Sequence, residues 1–203
     1  SGGQGGILVA SGRDSASRGI QRLSRDRQFK TILSGPKAVG RNVTVLSLDQ
    51  DGSVWIGTRE GPPLQRLTPD GTIESYGWRR GLIAEHVTAV LRDRDGFLWV
   101  ATNDHGVFRE ESGQFVDVGD QAMFNQSRVS VLFEDREGSL WFGTETGGMI
   151  QLWDGDFTSL TPRDGLTGGI AISAYADDED NVWLGTENGV SRVMGREIVA
   201  TLT

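Results

Sequence analysis

The chain has 203 residues, 29 glycines against 5 prolines, no cysteine, and a formal net charge of −8. This length builds one substantial core or two small ones, and the zero cysteine count excludes disulfides, thiolate metal centres and cysteine nucleophiles. The acidic balance argues against nucleic acid as a partner, and no apolar run is long enough to span a membrane.

The first six residues, SGGQGG, read as a flexible end or a cloning remnant and lie outside the fold. Strands are expected at ILVAS (Ile7 to Ser11), GIQRL and QFKTI, a first unit over residues 7–42. A second unit, 43–86, reads VTVLSLD, a turn DQDGS, then VWIGT, LQRL and TIESY. The third, 87–128, repeats the order with VTAVLRD, DRDGF, LWVAT, GVFRE and QFVDV. The fourth, 129–170, has VSVLFED, DREGS, LWFGT, GGMIQLW and DFTSL. The fifth, 171–203, has AISAYAD, DDEDN, VWLGT, GVSRVM and EIVATLT. Short β-branched and alternating runs separated by glycine-bearing turns predict strands throughout and very little helix.

Trp55, Trp99, Trp141 and Trp183 mark the period, 44, 42 and 42 residues apart, and an aspartate stands six residues before each: Asp49, Asp93, Asp135 and Asp177. The first unit carries Leu8 where the tryptophan belongs. Nineteen strands are therefore expected where twenty would complete five units. Four-stranded units of this length cannot bury both faces alone and are expected to stack radially. The predicted fold is all-β: a single β-propeller domain over 7–203 of four-stranded antiparallel blades, about five of them, forming a closed five-bladed ring or part of a larger propeller. The indoles are expected to fill the gaps between neighbouring sheets. The glycine or alanine two residues after each is expected to let an adjacent backbone approach, and the following threonine to tie the next turn. The first aspartate of each turn is expected to bond backbone amides two residues on. Asp180 replaces the turn glycine in the fifth unit and predicts a left-handed residue adopted at some cost.

The pattern V-x-x-[IL]-x-x-D-x-x-G-x-[LV]-W-[IVFL]-[GA]-T, carried by Val87–Thr102 and Val129–Thr144, with Gly147-Gly148-Met149 and the Gly-Leu pairs at 81–82 and 165–166, is similar to the two-component regulator propeller repeat. Lys37-Ala38 and Met123-Phe124 stand at the Gly-Leu position in the other units. The resemblance implies a non-catalytic ligand-sensing module of a bacterial signal-transduction protein, periplasmic or extracytoplasmic. It further implies a small-molecule or oligosaccharide ligand and a signalling output domain in the full-length chain.

If the strand preceding each turn is innermost, the links from second to third strand and from one unit to the next share a face. That face gathers the candidate ligand-binding residues Trp78, Arg79, Arg80, His86, His105, Arg128, Glu145 and Glu187. Trp78 lies off the repeat period beside two arginines, a combination suited to stacking on a planar ring while clamping an anionic group. No catalytic set, metal ligand set or cofactor motif is read from the chain. Two alternatives stand beside the sensor. One is a propeller lyase of the streptogramin-lyase kind, using His105 with Glu145 or Glu187. The other is a scaffold fragment that self-associates through a free edge strand.

Overall fold

A computed structural model describes residues 6–11, 19–24, 27–34, 41–118, 124 and 128–203. Of the end segment 1–6, residues 1–5 fall outside the described residues, as do the Lys37-Ala38 and Met123 positions, whereas Gly6, expected outside the fold, opens the first strand and pairs with Ser24. The nineteen strands form five antiparallel sheets in chain order. The first has three: β1 (Gly6–Ser11), β2 (Gly19–Ser24) and β3 (Phe29–Ser34). The second has β4 (Arg41–Leu48), β5 (Val54–Glu60), β6 (Leu64–Leu67) and β7 (Ile73–Tyr76). The third has β8 (Val87–Arg92), β9 (Leu98–Thr102), β10 (Val107–Glu111) and β11 (Gln114–Asp117). The fourth has β12 (Val129–Glu134), β13 (Leu140–Thr144), β14 (Met149–Trp153) and β15 (Asp156–Leu160). The fifth has β16 (Ala171–Ala176), β17 (Val182–Thr186), β18 (Gly189–Met194) and β19 (Glu197–Leu202). These are the blades of a β-propeller, and β1 is a second strand, so the first sheet lacks an inner one among the described residues.

The core is four apolar layers, one between each pair of consecutive sheets. Trp55 packs with Leu64, Tyr76, Val87, Leu98 and Phe115 between the second and third sheets. Trp99 and Phe142 lie between the third and fourth. Trp141, fully buried, meets Ala171, Val182 and Leu184 between the fourth and fifth. Leu8, at the tryptophan position of the first unit, packs against the layer of Ile20, Val54, Ile56 and Leu67. An indole buries on the order of 200 Å², which explains why one such residue per unit defines the spacing.

Each aspartate does two jobs. One carboxylate oxygen accepts from turn amides: Gln50 for Asp49, Phe97 for Asp93, Glu137 and Ser139 for Asp135, Glu179 and Asn181 for Asp177. The other accepts from the indole N–H, at 2.8 Å for Trp55, 2.7 Å for Trp99, 2.7 Å for Trp141 and 2.8 Å for Trp183. The Trp183 indole, followed by the Asn181 side chain and amides, lowers the Asp177 pKa to about 2. The constant spacing of six residues is thus an anchor between turn and indole as well as a turn signature.

The small residue after each tryptophan has a different cause from the one the sequence points to. A Cβ on Gly57 would lie 2.6 Å from Val45 Cγ1, and one on Gly143 would lie 2.8 Å from Val131 Cβ and 2.6 Å from Ala171 Cβ. The crowding comes from side chains rather than a neighbouring backbone. Val45 and Val131 are the cross-strand partners of these glycines on the inner strand. In the third sheet Ala101 pairs with Ala89, so the larger residue after the indole is matched by a smaller one opposite.

Consecutive inner strands are tied by a hydroxyl. Thr44 donates to the Val87 carbonyl at 2.6 Å, Thr88 to that of Val129, and Ser130 to that of Ala171 at 3.0 Å. On the turn face, the Arg92 guanidinium grips Asp49 of the preceding sheet through two bonds of 2.7 and 2.8 Å. Burial pushes the Asp49 carboxyl up, but Arg92, the Trp55 indole and the Gln50 amide outweigh it and leave the pKa lowered. Asp180 adopts φ 62°, the left-handed conformation held by glycine at 52, 96 and 138, and the turn keeps its closing bond from Asp177 N–H to the Asn181 carbonyl at 3.0 Å.

Candidate ligand pocket on the loop face

In the second to fifth sheets a threonine at or near the end of the second strand turns the chain toward the loop face. Thr58 Oγ1 donates to the Pro62 carbonyl, Thr102 to Gly106, Thr144 to Gly148 and Thr186 to Gly189. The links after β7 and β15 each contain a single 3-10 turn, Trp78–Arg80 and Pro162–Asp164. Each turn is closed by a left-handed glycine, Gly81 or Gly165, followed by a leucine that plugs the adjacent intersheet layer. The Gly-Leu element is therefore a stop and a plug. Phe124 fills the corresponding layer where that element has drifted.

Gly81 carries more than a turn. Its φ is +80°, and a Cβ there would stand 2.2 Å from the Phe115 carbonyl oxygen of the third sheet. With Leu82 buried beneath, the Trp78–Arg80 turn is held over the junction between the second and third sheets. Trp78 itself is 76% exposed.

Beneath this turn lies a cavity of about 730 Å³. The β5–β6 link supplies Pro62 and Pro63, the β7–β8 link supplies Trp78, Arg79, Arg80, Ile83 and Glu85, and the β9–β10 link supplies Asp104 and His105. Its wall is apolar and aromatic, with charges of both signs at the mouth. The Arg79 guanidinium lies 5.3 Å from the Trp78 ring centroid, and that of Arg80 lies 4.7 Å from the Tyr76 ring. No carboxylate among the described residues forms an ion pair with either guanidinium. The acidic side is already engaged: Asp104 accepts from the Glu85 amide at 3.2 Å and faces His105 Nδ1 at 3.0 Å, while Glu85 accepts from Asn103.

Of the residues singled out in the sequence, Trp78, Arg79, Arg80 and His105 line this one cavity. His86 is buried beside it, its amide donating to Asn103. Burial, then the charge of Arg59, pushes the His86 imidazole below its ordinary pKa. The other three lie further along the chain, outside the cavity lining. Arg128 pairs with Glu145 at 3.0 Å, and Glu187 accepts from the amides of Gly169 and Ile170 at 3.1 and 2.8 Å. These belong to a repeated clip that joins the residue before an inner strand to the one after the threonine. His86 with Asn103 is the same clip in the preceding unit, made through the His86 amide, whereas Asn42 pairs with Glu60, one residue further on. His105 is paired with Asp104 rather than with Glu145 or Glu187. Among the described residues no group of three or more His, Asp or Glu side chains is arranged to hold a metal ion. The cavity's aromatic and proline members, Tyr76 and Pro63, were missed by sequence reasoning, their only signal being adjacency to the two links.

Three stretches of the chain, residues 39–60, 81–104 and 123–146, match the family model described as two component regulator propeller. No curated protein is matched by the chain's sequence. Among solved structures, the chain is similar to the extracellular domain of BT3049 from B. thetaiotaomicron, assigned to a hybrid two component system. The TM-score is 0.70 and the identity 18%, over 91% of this chain and 27% of that one. The extracellular domain of BT4673, from the same organism and assigned to a one component system, gives a TM-score of 0.69 at 22% identity, over 93% and 26%. A catalytically inactive virginiamycin B lyase from Staphylococcus aureus, solved with quinupristin, gives 0.69 at 16% identity, over 96% and 68%. The chain thus spans about a quarter of the two extracellular-domain chains. At these identities the likeness is one of fold.

Proposed function

Three stretches of this chain match the two component regulator propeller model, and from that premise we propose that it is a non-catalytic ligand-sensing module of a bacterial signal-transduction protein. The observation that carries the reading is the cavity under the Trp78–Arg80 turn. Two guanidiniums without carboxylate partners are stacked on aromatic rings at the mouth of an apolar cleft of small-molecule size. Such a site offers a ring face for stacking and fixed cations for a carboxylate or phosphate. The ligand is therefore a small molecule or an oligosaccharide, and within those classes an acidic one. No helix among the described residues is long and apolar enough to cross a membrane. Two of the similar structures are extracellular domains, which supports a periplasmic or extracytoplasmic setting. The full-length chain would carry the signalling output domain.

The test is a thermal-shift screen of acidic and neutral oligosaccharides and small metabolites, repeated on Trp78→Ala and Arg80→Ala. Both side chains are at the surface turn, so both variants are expected to fold. A ligand held at a hundred times its dissociation constant stabilises by about 2.7 kcal/mol. The expected result is an acidic ligand whose stabilisation disappears in both variants. A ligand retained at full strength in both would place the site elsewhere and overturn the assignment of this pocket.

A further inference from the structure

The cavity under the Trp78–Arg80 turn is lined by two cations and two anions, and the fold keeps them from neutralising one another. Arg79 and Arg80 stand in the turn that opens the β7–β8 link, Glu85 stands near the end of that link, and Asp104 stands on the β9–β10 link.

Each side is pinned in its own way. The cations are held by stacking, Arg79 on Trp78 and Arg80 on Tyr76. The carboxylates are held by hydrogen bonds. Both oxygens of Asp104 accept from the Glu85 amide, at 3.2 and 3.3 Å, and Glu85 Oε2 accepts from the Asn103 side chain at 3.0 Å. Asp104 faces the His105 imidazole and neither guanidinium. Among the described residues Glu85 Oε1 accepts no hydrogen bond, and Glu85 enters no ion pair.

Charges of both signs, fixed around one apolar cleft, select against a ligand of a single sign. A molecule bearing only anionic groups gains at the arginines and is repelled at the acids. One bearing only amines meets the reverse. Like charges brought together reject a wrong partner as opposite charges favour the right one. The rest of the lining includes Pro62, Pro63, Tyr76, Trp78 and Ile83, which suits an aromatic or ring-shaped body between the charged ends.

Resting on the reading of this cavity as a ligand site, we propose that its ligand is amphoteric. Its carboxylate or phosphate docks at Arg79 and Arg80, and its protonated amine docks at Glu85 and Asp104. Short peptides with an aromatic residue and amino-sugar phosphates share this chemistry.

Calorimetric titration of the 203-residue protein with two matched probe sets tests this. One set is alanyl-phenylalanyl-alanine, its N-acetyl form and its carboxyl-terminal amide. The other is glucosamine 6-phosphate, N-acetylglucosamine 6-phosphate and glucosamine. In at least one set the amphoteric member is expected to bind about tenfold tighter or more than either relative that lacks one charge, and the set that does so distinguishes a peptide from a sugar. In a Glu85→Gln, Asp104→Asn double variant the advantage over the N-acetyl form is expected to vanish while the advantage over the acid-free form remains. An Arg79→Gln, Arg80→Gln double variant is expected to do the opposite. All four side chains lie at the cavity mouth, and unchanged thermal midpoints would report intact folds. N-acetyl forms that bind as tightly as the amines overturn the proposal; if that binding is lost in Trp78→Ala, the cavity still stands as a site for plain acids. Amine selectivity that survives in the acid-free double variant overturns it too, as does a lack of binding by both amphoteric probes. Probe binding unchanged in both Trp78→Ala and Arg80→Ala removes the cavity reading itself, and this proposal with it.

Discussion

Trp141→Ala is expected to lower the stability of the folded chain by about 3–5 kcal/mol, read as a fall in the urea midpoint with little change in slope. The indole is fully buried and is the central member of the layer between the fourth and fifth sheets. Its removal leaves a cavity that Ala171, Val182 and Leu184 cannot collapse into without parting from their own sheets. It also removes the 2.7 Å bond to Asp135, a carboxylate that is itself buried. A Trp141→Phe variant keeps much of the ring volume and isolates the lost hydrogen bond, for which about 1–3 kcal/mol is expected. Trp183→Ala provides the contrast. Its indole bonds Asp177 in the same way but is half-buried on an uncovered sheet, so its loss is expected to cost about 1–2 kcal/mol. Equal losses at 141 and 183 would mean that the indole acts within its own sheet and not between sheets.

The second large effect is expected at Gly81. An alanine there is forced into the left-handed region, at about 1–2 kcal/mol, and its Cβ meets the Phe115 carbonyl oxygen at 2.2 Å. Relief requires the Trp78–Arg80 turn to lift away from the third sheet, adding an overpacking cost of about 1–3 kcal/mol. The sum, about 2–5 kcal/mol, is to be read by thermal denaturation beside Gly71→Ala. Gly71 has φ +90°, but a Cβ added there would meet no atom within 4 Å, so that variant carries the conformational cost alone. Matching losses at the two positions would show that the turn is not pressed against the third sheet. A larger loss at Gly81, with altered Trp78 fluorescence, is the expected outcome.

The periodic tryptophans made the sheet number, the strand order and the three described strands of the first sheet readable from the sequence. Strand count follows from alternation and turn glycines, which are local, and the radial stack follows because no single unit can bury both its faces. The partner of each small residue after the indole was less accessible. Gly57 opposite Val45 and Ala101 opposite Ala89 are a size compensation across one strand pair, legible only once the register is known. Asp135 was read as a turn residue, yet its second oxygen reaches the indole. Turn and strand have to be joined in space before that bond is visible. The pocket was half legible. Trp78 stood out because it breaks the period, and its neighbours Arg79 and Arg80 came with it. Tyr76, Pro63 and Ile83 did not, since the cavity arises where three links of two sheets converge. Arg128, Glu145 and Glu187 share the same face of the molecule, but their charges are engaged in clips that repeat from unit to unit.

Buried indoles, anchored by an aspartate six residues earlier, wedge consecutive sheets together, and the most direct measurement of that is hydrogen exchange of the six indole N–H groups by nuclear magnetic resonance. Strong protection is expected at Trp55, Trp99 and Trp141, weaker protection at Trp183, and exchange near the free rate at Trp78. Uniform exchange among all six, or a protected Trp78 beside an unprotected Trp141, would contradict it.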